Sequence, residues 1–159
     1  MKIGCIQLNV RFGKVEENFE RAEACIREAA ARGAELVVLP EMWNTGYALK
    51  QLDEIADTDG ARSKQFLKNL ATELNIHIVG GSVAVKRGDK FYNTMYVVDN
   101  TGELVGEYSK AHLFRLLDEH LYLEAGDEMN NFSLGELQAA GVICYDIRFP
   151  EWLRAHALA

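Results

Sequence analysis

The sequence predicts an α/β fold, and three observations carry that prediction. Short apolar runs of strand length, such as ELVVLP at 35–40 and HIVGGSVAV at 77–85, alternate with two stretches whose apolar residues recur at helical spacing. The turn-rich segments KRGDK and NTGE divide 77–109 into three extended pieces, the pattern of a meander. The residues able to do chemistry stand where apolar runs end, the place at which open α/β sheets gather their ligands.

Taken in order, residues 2–9 (KIGCIQLN) form an apolar run that reads as a buried first strand, which puts Cys5 in the core. Val15, Phe19, Ala22, Ile26 and Ala29 recur at steps of four and three, the stripe of an amphipathic helix from Val15 to Arg32, and Gly33 ends it. Cys25 lies beside that stripe and reads as packing. The run ELVVLP is a strand that Pro40 terminates, because proline cannot donate to a sheet ladder, and it leaves Glu41 at the strand's end. Residues 43–60 mix aromatics with turn formers and read as a loop carrying a short helical piece, bordering a pocket. A second helix follows over 61–75, through Phe66, Leu67, Leu70, Ala71 and Leu74.

The three meander strands come next: HIVGGSVAV with a break at Gly80-Gly81, FYNTMYVVD, and LVGEYS, with Lys110 just after the third. Residues 111–126 lack strand alternation and read as a loop with a short helical turn. NNFSLGELQAAGVIC is then a hairpin around Gly135-Glu136 whose second arm runs into Cys144. Pro150 suits the first turn of a closing helix, EWLRAHALA. No repeat, linker or low-complexity segment interrupts the chain, so 1–159 is expected to be one domain.

Composition bounds the function. The chain has 159 residues and 48% hydrophobic content, enough for a substantial core. Seventeen basic residues against twenty-four acidic ones give a net charge of −7, which argues against nucleic acid or an anionic membrane as partner. The N-terminal apolar run is broken by Gln7, Asn9 and Arg11, so neither a signal peptide nor a membrane span is read there, and a cytoplasmic protein is expected. Three cysteines at positions 5, 25 and 144 give no disulfide framework, and with four scattered histidines they give no metal-ligand spacing. No metal is expected.

Glu41, Lys110 and Cys144 therefore stand out as a set. Each alone has an ordinary reading: a solvated cap, a surface cation, a small core residue. Together they supply what acyl transfer from an amide requires. Glu41 takes the thiol proton of Cys144 and later activates water. Lys110 and the backbone N–H of Tyr145 stabilise the tetrahedral oxyanion, and a thioester is formed and hydrolysed. Glu119, nine residues beyond Lys110, reads either as a second carboxylate orienting that lysine or as a loop charge. A Cys-His hydrolase of the papain type lacks a convincing histidine, since His112 belongs to the Lys110 segment and His156 to the last helix.

LPEMWNTGY around Glu41, YSKAHLF around Lys110 and CYDIRFPEW around Cys144 resemble, in order and spacing, the three signature motifs of the nitrilase, or carbon–nitrogen hydrolase, superfamily. The resemblance runs from Met1 to Ala159. It implies a four-layer αββα sandwich, a Glu41-Lys110-Cys144 triad, no cofactor, and a homodimer or larger homo-oligomer. KAHLFRLLDEH and CYDIRFPEW look most like the ω-amidase branch, which hydrolyses 2-oxoglutaramate-type amides and releases ammonia. Such a substrate carries a carboxylate, so a cation besides Lys110 is expected in the pocket. Arg115 and Arg148 are the candidates by motif; the other reading of Arg148 is an ion pair with Asp146 or Glu151. Tyr47, Phe114 and Tyr145 read as apolar walls or as core. The family domain is substantially longer than 159 residues. The remainder would add strands, helices and one side of the pocket, so the fold is expected to be incomplete at its C-terminal end. The alternative to an amidase is a truncated, non-catalytic homologue acting through binding or assembly.

Overall fold

The computed structural model describes all residues 1–159. Its main sheet has seven strands: β1 (Ile3–Cys5), β2 (Leu36–Val38), β3 (Asp57–Thr58), β4 (His77–Val79), β5 (Val83–Arg87), β6 (Lys90–Val98) and β7 (Leu104–Ser109). β1, β2 and β4 are parallel, and β6 runs antiparallel to β4, β5 and β7. β6 is thus the hub of the expected meander. The two-residue β3, parallel to β5, lies inside the stretch that reads as loop.

The helices α1 (Val15–Ala31) and α3 (Ala61–Leu74) fall within a residue of their expected bounds and cover one face of the sheet. Phe19, Ala22 and Ile26 of α1 and Leu67, Leu70 and Ala71 of α3 pack there with Val37, Ile78, Val85, Tyr96 and Val98. Because neighbours in a strand point to opposite faces, Leu36, Met95 and Val97 turn the other way. They meet Tyr108, Phe132, Leu134 and Ile143 in a second cluster. Phe132 and Leu134 belong to a two-stranded sheet, β8 (Asn131–Leu134) and β9 (Leu137–Ala140), which is the hairpin expected around Gly135-Glu136.

Between them lie the short helices α2 (Leu52–Ile55) and α4 (Glu119–Tyr122), and α5 (Pro150–Leu158) closes the chain. Asn131 alternates with Phe132 and so faces away from the main sheet, toward α5, where its amide donates to the His156 carbonyl at 2.8 Å. Helices, large sheet, small sheet and α5 follow in the αββα order. No helix is long and apolar enough to cross a membrane.

Two expectations are corrected. The first strand covers only Ile3–Cys5, and its outward side chains are exposed: Ile3 is 54% accessible, and Cys5 is also exposed rather than core. β1 is an edge strand. Gly4 meets α1 on the inner face, whereas the small sheet does not reach over Ile3 and Cys5 on the other. The strand leading to Cys144 also ends early, at Ala140, and residues 141–143 are extended without ladder pairing, apart from the Gly141 N–H on the Asn130 carbonyl at 3.1 Å.

The join between β4 and β5 shapes the site. Ile78 pairs with Val98 and Val83 with Thr94, so five residues of one strand advance against four of β6. The extra residue makes a bulge at Gly81-Ser82. Gly81 has φ +57°, and a side chain on it would strike the carbonyls of Leu39 and Pro40, so both backbone and space demand glycine. The bulge turns Ser82 away from β6 and toward the chain leaving β2.

Candidate active site

Glu41 is held by that turn. The Ser82 N–H donates to the Pro40 carbonyl at 3.1 Å, the Met42 N–H to Ser82 Oγ at 3.0 Å, and the Trp43 N–H to the Ser82 carbonyl at 3.0 Å. Trp43 is fully buried and its indole N–H donates to the Gly80 carbonyl at 2.8 Å, locking the turn to the bulge from the other side. Met42 takes the left-handed conformation (φ 51°), which lets the chain reverse directly after Glu41.

Lys110 lies at the end of β7, with a fully buried side chain. Its ammonium donates to Glu41 Oε1 and to Glu119 Oε1, each at 2.8 Å. Glu119 is itself inaccessible, and its second oxygen accepts the Phe114 N–H at 2.7 Å. Glu119 is thus a buried partner of Lys110 and of the main chain rather than a solvated loop charge. Burial alone would push the Lys110 pKa down, but the bonds from Glu119 and Glu41 outweigh it, and the ammonium is held charged above the ordinary lysine value.

Cys144 stands on a strained elbow. Its φ is +46°, in a region L-residues with a Cβ rarely adopt, and it opens a five-residue 3₁₀ turn, Cys144–Arg148. The thiol is exposed, and Cys144 and Glu41 line one cavity of about 350 Å³ with Val38, Val79, Met95 and Val142. Burial first, then the Glu41 charge, raises the thiol pKa, with Lys110 pulling the other way. The resting group is the thiol. α5 starts only at Pro150, so the donors near Cys144 are those of the short turn, not of a long helix. The Tyr145 N–H belongs to the first turn of that segment, where main-chain donors lack an intrahelical acceptor.

The elbow is tied to the Lys110 segment through Asp146, which is fully buried. Its carboxylate accepts from the Ile143 N–H (3.0 Å), the Tyr108 hydroxyl (2.7 Å) and the His112 N–H (2.9 Å), and also contacts His112 Nδ1 at 2.7 Å. Burial and Asp146 push the Tyr108 hydroxyl far up in pKa, so it remains a donor, and the Trp152 indole donates to it at 3.0 Å. Asp146 is therefore occupied, and it does not pair with Arg148.

Arg115 and Arg148 are both exposed, on 3₁₀ turns beside Lys110 and Cys144, and neither forms an ion pair, with Glu151 or any other acid. Phe114 and Tyr145 pack at 4.9 Å between ring centroids, and Tyr145 meets Phe149 edge-on at 5.4 Å, an aromatic wall next to the elbow. Tyr47 packs against the cluster of Met42, Leu49 and Leu52; burial, then Glu41 and Glu119, raise its hydroxyl pKa so that it stays protonated. No group of three or more His, Cys, Asp or Glu is placed to hold a metal ion. Asn93, Asp146, Ser82 and Tyr108 are the site residues that the sequence reading missed. Asn93 is fully buried and donates its amide to Glu41 Oε1 at 2.9 Å. The polar pair Asn93-Thr94 inside the largely apolar run FYNTMYVVD is the one signal in the sequence that points to it.

Comparison with known proteins identifies the family. The carbon-nitrogen hydrolase family matches residues 2–159. The chain belongs to that family. Among its members, 2-oxoglutaramate amidase of Bacillus subtilis is 51% identical over 97% of this chain and 59% of its own length. Omega-amidase NIT2 of Homo sapiens is 35% identical over 98% of this chain and 59% of its own. The crystal structure of Saccharomyces cerevisiae Nit3, a member of branch 10 of the nitrilase superfamily, superposes with a TM-score of 0.88 at 30% identity, over 99% of this chain and 60% of that one. The nitrilase-type α/β fold is thereby established. The chain spans about three-fifths of the length of these carbon-nitrogen hydrolases.

Proposed function

We propose that this protein hydrolyses the C–N bond of a small, carboxylate-bearing linear amide of the 2-oxoglutaramate type, through a thioester on Cys144. The observation that carries the reading is Lys110, buried between Glu41 and Glu119 beside an exposed thiol on a strained elbow. A buried ammonium held by two carboxylates next to an exposed thiol is the set of groups that acyl transfer uses, which favours this reading over one of binding or assembly alone. The 51% identity to a 2-oxoglutaramate amidase supports the choice of substrate class.

In this mechanism Glu41 removes the Cys144 proton as sulfur adds to the amide carbon. The oxyanion is met by the Lys110 ammonium and the Tyr145 N–H. Glu41 returns the proton to nitrogen, the C–N bond breaks and ammonia leaves. Water, deprotonated by Glu41, then attacks the thioester; the carboxylic acid departs and the thiol is restored. The exposed guanidinium of Arg115 or Arg148 holds the distal carboxylate, and Phe114, Tyr145 and Tyr47 flank the carbon chain. Assembly into homodimers or larger homo-oligomers is part of the proposal, supported by the exposed apolar side chains Ile3, Phe12, Leu116 and Leu121.

Ammonia release from 2-oxoglutaramate is the test. Wild-type protein should release ammonia and show a covalent acyl adduct on Cys144 by intact mass spectrometry, and Cys144→Ala should lose both. Unchanged release in Cys144→Ala refutes the mechanism.

A further inference from the structure

We infer that Asn93 is a positioning residue that divides the labour of the two Glu41 oxygens, fixing Oε1 so that Oε2 alone faces the thiol proton. This rests on the amidase reading of the site. Glu41 Oε1 accepts two bonds at once, from Lys110 Nζ at 2.8 Å and from Asn93 Nδ2 at 2.9 Å, and the hydroxyl of Tyr47 and the thiol of Cys144 stand beside the same carboxylate. A carboxylate anchored by two donors on one oxygen cannot rotate without breaking both, so its free oxygen keeps one direction. Glu41 and Cys144 share the wall of one cavity, and Glu41 is the carboxylate that acts most directly on the thiol, so the oxygen left unanchored is the one we assign to the sulfur.

Asn93 holds the other partner as well. Its main-chain carbonyl accepts the Lys110 N–H at 2.9 Å, so one residue of β6 sets both the backbone of the lysine and the side chain of the glutamate. Burial argues the same way. The Asn93 side chain is inaccessible, and its Oδ1 has no hydrogen-bond partner in the protein. A buried carbonyl left unpaired is costly, and an apolar residue on this strand avoids that cost. The amide thus stands at a position where packing alone favours an apolar side chain, and the side-chain bond it makes is the one to Glu41. The ionisable groups around Glu41 are Lys110, Cys144, Tyr47 and, behind the lysine, Glu119.

The test uses the whole chain with Asn93→Ala and Asn93→Asp, assayed for ammonia release from 2-oxoglutaramate and for alkylation of Cys144 by iodoacetamide, followed by peptide mass spectrometry across pH. Asn93→Ala should lower kcat about 10²-fold and move KM less than about 2-fold, because the amide serves proton transfer rather than substrate contact. Asn93→Asp should be nearly inactive near neutral pH and regain activity as the solution is acidified, because the substituted carboxyl, once protonated, again donates to Oε1. A merely structural Asn93 would instead lower kcat, raise KM and reduce Tm together, with no recovery in acid, and that pattern overturns the inference. If wild type releases no ammonia, the amidase reading fails by itself. The alkylation profile then decides: with one of its two anchors gone, Glu41 is held by Lys110 alone, turns from its fixed direction and opposes ionisation of the thiol less, so Asn93→Ala should alkylate at lower pH than wild type. Coincident profiles overturn the inference.

Discussion

At the scale of the residue, the site sets two carboxylates against one ammonium, and the thiol answers to the balance. Burial and then Glu41 hold Cys144 protonated, so in the proposed mechanism sulfur becomes a nucleophile only as its proton leaves. Glu41→Gln should therefore separate two reactivities that usually fall together. Amide hydrolysis should be lost, while alkylation of Cys144 by iodoacetamide at about pH 8 should become faster than in wild type, because the opposing charge is gone. Ammonia release and peptide mass spectrometry on the same preparation check both halves. Glu41, Lys110 and Cys144 were legible in the sequence because each ends an extended segment inside a recognisable motif. Asn93 and Asp146 were not. Their importance lies in partners far along the chain, 52 residues away for Asn93 and 38 and 34 for Asp146, and no local pattern encodes such pairings.

At the scale of the element, the strained turn at Cys144 persists because its surroundings over-determine it. Asp146 satisfies the Ile143 N–H directly before the elbow and ties the turn to β7 through Tyr108 and to the chain after Lys110 through His112. Asp146→Ala leaves those buried donors unpaired and should cost about 3 kcal/mol of stability, read as a fall in Tm or in the urea midpoint. Tyr108→Phe, which removes one donor from the acid and also leaves the Trp152 indole N–H without its acceptor, should cost about 2 kcal/mol. Helical stripes made α1 and α3 readable almost to the residue. The first strand was misread for a definable reason. An apolar run announces a strand, but whether its second face is covered depends on the width of the layer above, and here the small sheet stops short of Ile3 and Cys5.

At the scale of the whole molecule, stability should have a limb on each side of neutrality. Burial lowers the His156 pKa, so below the ordinary histidine value of about 6.5 the unfolded chain binds a proton that the native state resists. The contribution is intact above that value and is lost as pH falls through it. Lys110 works in the opposite sense. Its raised pKa contributes stability that is intact below the ordinary lysine value of 10.5 and is lost as pH rises through the folded-state value. Thermal melts from about pH 4 to pH 11 should trace a plateau with two shoulders. His156→Leu should flatten the acid shoulder and leave the alkaline one in place. The order of layers was legible only through the resemblance of the motifs, because the hydrophobic pattern gives each element its apolar face without saying which face meets which.

The bulge between β4 and β5 also bears on how relatives of this chain can be read. Removing the one extra residue at Gly81 would leave every pair of that strand with β6 in regular register, and a sheet selected for regularity alone would have no use for it. What would vanish is the grip of Ser82 on the turn that carries Glu41. In an alignment, a single gap between HIV and SVAV would thus mark a lineage that had kept the scaffold and lost the hold on Glu41. On the mechanism proposed above, such a protein should not turn over amide even with the glutamate, lysine and cysteine all still in place.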